Sequence, residues 1–153
     1  MASYGYNPVQ SVALNQGAIF DTMIGCPDGF VLHENQTPYF ILRGRTDCSC
    51  KRFARYKVTA ISNIALPTGA TVVPIAVALT VMGAVRPDSR AITTPAAVDD
   101  YNNVTCSDFI DVPRGCCFIV GIANVAASEE TGYVAAPTIN MQNLNITVDR
   151  VRV

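Results

Sequence analysis

The segment "FARYKVTAISNIAL" (residues 53–66) alternates apolar and polar residues at a period of two. Tyr56, Val58, Ala60, Ile64 and Leu66 share one face, while Arg55, Lys57, Thr59 and Asn63 share the other. A helix would scatter these residues around its circumference, whereas an antiparallel strand sorts them into a core side and a solvent side. The pattern recurs along the chain, broken by Gly, Pro and Asn every ten residues or so, and helical periodicity is nearly absent. In "TVVPIAVALTVMG" (71–83), Val73, Ile75, Val77, Leu79 and Val81 form a large apolar face opposite Ala76 and Ala78. That strand is expected to be buried on both sides, with the small side available to a neighbouring subunit.

The last stretch, "TINMQNLNITVDRVRV" (138–153), changes step twice. Ile139 and Met141 share one parity, Leu144, Ile146 and Val148 the other, and Val151 and Val153 return to the first. Bulges near Asn143 and Asp149 would reconcile these registers. Further strands are expected at 10–20, 29–33, 38–46, 102–112 and 116–125, with a surface loop at 127–137 and one stretch, 94–102, that admits a helical turn. So many short strands in one chain predict an all-β protein, a jelly-roll β-sandwich of about 8–10 antiparallel strands. No linker or repeat divides it, so residues 1–153 are read as a single domain with 1–12 as a candidate N-terminal arm.

The chain has 153 residues, half of them apolar, with 11 Lys plus Arg against 12 Asp plus Glu. That balance argues against nucleic acid as a partner, which would need a basic surplus. Charged residues make up only 15% of the chain, pointing to a surface partly covered by other subunits. The run "VVPIAVALTVMGAV" (72–85) contains Pro74 and Gly83 and is too short to span a membrane, so no membrane partner is expected. The start "MASYGYNPVQSV" lacks the basic and apolar stretches of a secretion signal, which predicts synthesis in the cytoplasm. The sequons at Asn35, Asn103 and Asn145 then carry little weight.

Nothing in the sequence assembles a catalytic centre. The one histidine, His33, has no recognisable nucleophile motif to serve. Asp99-Asp100 and Glu129-Glu130 are adjacent pairs read as solvated charge, and no glycine-rich phosphate loop is present. No enzyme activity and no cofactor are expected. The tyrosines (Tyr4, Tyr6, Tyr39, Tyr56, Tyr101 and Tyr133) are scattered and there is no Trp, which disfavours a sugar-binding platform. Of the six cysteines, Cys48 and Cys50 form C-x-C and Cys116 and Cys117 form C-C. Neither spacing suits tetrahedral zinc, because adjacent residues of an extended chain diverge to opposite faces. No metal site is expected, and a redox C-x-x-C is missing. Cys26, Cys48, Cys50, Cys116 and Cys117 are disulfide candidates at one end of the sandwich, with buried free thiols the alternative, and their pairing is left open. Cys106 falls inside a strand and is read as a core residue.

The segments "FARYKVTAISNIALPTGATVVPIAVALTVMG", "RAITTPAAVDDYNNVTCSDFIDVPRGCCFIVGIANV" and "INMQNLNITVDRVRV" together resemble a group of small proteins encoded by tailed phages of gut Firmicutes. The likeness covers roughly residues 40–153, with a weaker match in "VALNQGAIFDT". More distantly, the pattern is similar to the jelly-roll heads of the tumour-necrosis-factor and complement class. The resemblance implies a virion structural protein on the outer capsid surface. Its expected form is a homotrimeric decoration protein seated on the major capsid protein, or else on another virion protein. It also implies packing of central strands around a threefold axis, with Val77, Leu79 and Val81 or the alanines opposite them, Tyr101 and Phe118 as interface candidates. The alternatives are another phage fibre or tail part, or a bacterial surface or spore filament cross-linked by disulfides.

Overall fold

The computed structural model describes residues 1–24, 29–128 and 136–152. Among them are twelve strands: β1 (Ala2–Tyr6), β2 (Gln10–Val12), β3 (Thr22–Ile24), β4 (Val31–His33), β5 (Phe40–Arg43), β6 (Phe53–Ala65), β7 (Ile75–Val81), β8 (Ala84–Val85), β9 (Ala91–Thr93), β10 (Asn102–Pro113), β11 (Cys117–Val125) and β12 (Ile139–Val151). They form two antiparallel sheets. The first runs β10-β6-β12-β1-β3, with β2 also on β12; the second runs β4-β5-β11-β7-β8, with β9 also on β7. The chain crosses between sheets after β3, β5, β6, β9, β10 and β11, which makes the all-β architecture a jelly-roll sandwich. The count exceeds the expected number of strands because several edge pieces are only two or three residues long. Residues 94–101 form bends and a turn; the one helical element among the described residues is a single 3-10 turn at Pro87–Ser89.

The core is built from the inward parities of both sheets. Tyr56, Ile64, Met141 and Ile146 from the first sheet meet Phe40, Leu79 and Ile122 from the second. β12 supplies inward residues from both parities because its pairing with β6 shifts between Gln142 and Asn145, where Asn143 takes a left-handed φ of 51°. The expected second change of step at Asp149 does not occur. Asp149, Arg150 and Val151 keep the same register against Lys57, Tyr56 and Arg55, so Val151 faces outward, and Val153 lies outside the described residues.

The N-terminal segment is not an arm. Ala2–Tyr6 pairs with Leu144–Val148 on one side and Thr22–Ile24 on the other, while Gln10–Val12 pairs with Ile139–Met141. Ala2 and Tyr4 fall on the inner face and are buried, which gives this stretch a reason to stay in the sheet. His33 is likewise structural. Its ring stacks on Phe40 with centroids 4.4 Å apart, and its nitrogens lie 2.8 Å from the Tyr39 carbonyl and 3.2 Å from the Phe20 carbonyl.

At one end of the sandwich β5 leads into the loop at 44–52, which lies along the β10–β11 turn. Gly44 N–H donates to the Cys116 carbonyl at 2.8 Å, Gly115 N–H to Arg45 at 3.2 Å, and Arg114 N–H to Arg52 at 2.8 Å. A Cβ on Gly44 would sit 2.0 Å from the Pro113 carbonyl oxygen and 2.9 Å from that of Cys116. Both obstacles are backbone, so the contact cannot relax by a rotamer change. Gly44→Ala is expected to cost about 2–3 kcal/mol, read as a melting-temperature drop of roughly 4–12 °C; an unchanged thermal transition would show the loop seated elsewhere.

Candidate assembly surfaces

The interface residues named from the sequence separate into three groups. Val77 and Leu79 are fully buried in the chain's own core, because the face they share packs against the first sheet. They cannot meet a partner. Ala76 and Ala78, on the opposite side of β7, are covered as well, packed with Ala123, Val125 and Ala127. Val81 and Phe118 are half-buried and come together with Phe109, Ile110, Arg86 and Asp111 around a cleft of about 220 Å³ beside β10, the free edge of the first sheet. Tyr101 stands apart, at the opposite end of β10 from Phe109.

The register of the first sheet defines a different surface. Its outward-facing side chains form cross-strand rows: Asn103–Asn63–Gln142, then Thr105–Ile61–Asn145–Gly5–Thr22, then Ser107–Thr59–Thr147–Ser3–Ile24. None of these residues is charged. Many are bonded to one another within the surface: Thr59 with Ser107 at 3.2 Å, Asn103 to Asn63 at 3.0 Å, Asn145 to Ser3 at 3.3 Å and Thr147 to Asn145 at 3.3 Å. Ile24 and Ile61 stand exposed among them, with Phe109 on the next row. Charge returns only below, in the rows Phe109–Lys57–Asp149 and Asp111–Arg55–Val151. There the Arg55 guanidinium grips Asp111 through two 2.7 Å hydrogen bonds and holds that carboxyl below its usual range.

Ile61 and Phe109 were readable as signals, because each interrupts a polar row at outward parity in an otherwise regular alternation. The second sheet carries its own exposed apolar row, Leu32–Ile41–Ile119, flanked by Tyr39 and Met82 and bordering a depression of about 370 Å³.

Cys48, Cys50, Cys116 and Cys117 lie on the loop and turn that Gly44 joins, all exposed and all unbonded thiols. Arg114 ties the two segments together by donating to the carbonyls of Asp47 and Ser49. Arg45 bonds Asp47 at 2.9 Å and Ser49 at 3.2 Å. No group of three or more His, Cys, Asp or Glu side chains that could hold a metal occurs among the described residues. Cys26, Glu129, Glu130 and Tyr133 lie outside them. Cys106 is buried against β7, donates to the Val77 carbonyl at 3.4 Å, and has its thiol pushed up to about 11 by desolvation.

No protein-family model matches this sequence, and no curated protein matches it. Among solved structures, the chain is similar to the globular domain of zebrafish complement 1qA protein, with a TM-score of 0.57 and 12% identity over 95% of this chain and 94% of that one. It also aligns with the CBM35 from Cellvibrio japonicus Abf62, with a TM-score of 0.31 and 13% identity over 95% and 99% of the two chains. The first likeness establishes the jelly-roll fold.

The thiols should separate by reactivity. With iodoacetamide at mildly alkaline pH, peptide mass spectrometry should find Cys48, Cys50, Cys116 and Cys117 alkylated in the native protein and Cys106 only after denaturation, since desolvation withholds its thiolate. Equal labelling of Cys106 in the native state would contradict its burial.

Proposed function

We propose that this chain is a non-enzymatic virion structural protein, a homotrimer that decorates the outer surface of a tailed-phage head and cements the joints between major capsid subunits. The observation that carries the assembly is the uncharged outer face of the first sheet. Burying a charge costs several kcal/mol unless it is re-paired, whereas hydroxyls and amides already bonded to their neighbours lose little on desolvation. A broad face of such residues, with Ile24, Ile61 and Phe109 exposed among and beside them, is inexpensive to bury. The virion assignment is supported by the resemblance of residues 40–153 to small tailed-phage proteins. Cementing needs no reaction chemistry: contacts across each joint, repeated over a shell, add burial at roughly 25 cal/mol per Å².

A second reading has its own support. Four exposed thiols at one end suit a filament, whether of a fibre or tail part or of a bacterial surface or spore coat, locked by disulfides between subunits. Light scattering separates the two. The trimer reading expects a mass near three times 16.4 kDa with or without reductant, and a monomer for Ile61→Lys, which places a charge inside the neutral face. A wild-type monomer contradicts it, and a ladder that collapses with reductant favours the filament.

A further inference from the structure

The near-zero net charge conceals a strong asymmetry. The strand register places Arg43, Arg45, Lys51, Arg52, Arg55, Lys57, Arg114, Arg150 and Arg152 at one end of the sandwich, where β5, β10 and β12 finish and β6 begins. Among the described residues the carboxylates at that end are Asp47, Asp111 and Asp149, so nine cations face three anions there. The remaining described residues reverse the balance, with Arg86 and Arg90 against Asp21, Glu34, Asp88, Asp99, Asp100 and Asp108.

Part of this positive end is already engaged, since Arg45 is paired with Asp47 and Arg55 with Asp111. A cleft of about 410 Å³ lined by Phe30, Arg45, Asp47, Arg150, Val151 and Arg152 presents two others, Arg150 and Arg152. Arg150 lies over the Phe30 ring, its guanidinium carbon 3.7 Å from the ring centroid. That contact holds the guanidinium against the ring at the cleft wall. Arg152 is exposed beside it.

We infer that this end is a docking surface for a carboxylate-rich segment of a partner protein, with Arg150 and Arg152 receiving the carboxylates. A guanidinium edge matches a carboxylate bidentately, and the field of the surrounding cations steers an acidic segment toward it. Nucleic acid fits less well. The cleft has room for one or two side chains, and the aromatic ring on its wall is covered. Arg150 covers Phe30, and Arg55 stands over Phe53 at 5.4 Å, so neither ring is free to stack a base. The inference rests on the proposed function only in taking the partner to be a protein.

The test uses the full chain and a labelled polyglutamate peptide, followed by fluorescence anisotropy, with duplex DNA of matched charge as the competitor probe. Binding should weaken roughly tenfold in the Arg150→Gln/Arg152→Gln variant, stay unchanged in Arg86→Gln outside the cluster, and fade between about 0.05 and 0.5 M salt. Arg152→Glu, a change at an exposed position, provides a second variant whose folding is not at risk and should also weaken binding. Absence of peptide binding, or binding indifferent to both arginine variants, overturns the inference; tighter binding of DNA than of peptide overturns the partner class. Light scattering on the same samples keeps the two ideas apart, because a monomer that binds polyglutamate through these arginines sinks the trimer and leaves the docking surface standing.

Discussion

The structure depends on the one-step slip of β12 against β6 between Gln142 and Asn145. Before the slip Ile139 and Met141 point inward; after it Leu144, Ile146 and Val148 do. Without the slip one of these sets would face water, at a cost of about 1.5–3 kcal/mol for each large side chain. Asn143 supports the irregularity by adopting a left-handed backbone that asparagine tolerates better than most residues. The slip also sets the outer face. It brings Asn145 level with Ile61 and Gly5, and Thr147 level with Thr59 and Ser3, which completes the uncharged rows.

The same ladder separates two kinds of surface on one molecule. Toward the far end of β6 the outward side chains are hydroxyls, amides and isoleucine, suited to contact with copies of the chain. Toward its beginning they become Lys57 and Arg55, and the neighbouring loop and turn add further cations and the four exposed thiols. Gly44 and Arg114 hold that end together, one by allowing backbone to touch backbone and the other by spanning the loop with its guanidinium. Assembly through the neutral face would leave the basic end free to meet a different partner.

Much of this was legible locally. Alternation in 53–66 fixed the inner face of β6, the double apolarity of 71–83 announced β7, and the change of parity after Met141 gave away the bulge. What failed was information carried by distant pairing. Residues 2–6 hold only three inward side chains, Ala2, Tyr4 and Tyr6, and nothing nearby reveals that their partner is β12, some 140 residues on. Val77 and Leu79 looked like a surface because a strand covered on both sides does not say which cover is its own chain. Total charge hid the basic end, since Arg43, Arg114 and Arg150 become neighbours only through the register. Ile61 and Phe109, by contrast, were visible as breaks in a polar row.

Hydroxyl-radical footprinting of the assembled protein tests the central claim, that the neutral face of the first sheet is the subunit interface. In the isolated chain Ile24, Ile61 and Phe109 are exposed on or beside that face, as are Leu32, Tyr39 and Ile119 on the opposite sheet. The account predicts that the first three are shielded from oxidation in the assembled protein and the last three are not. Shielding of Leu32, Tyr39 and Ile119 with free oxidation of Ile24, Ile61 and Phe109 would contradict it.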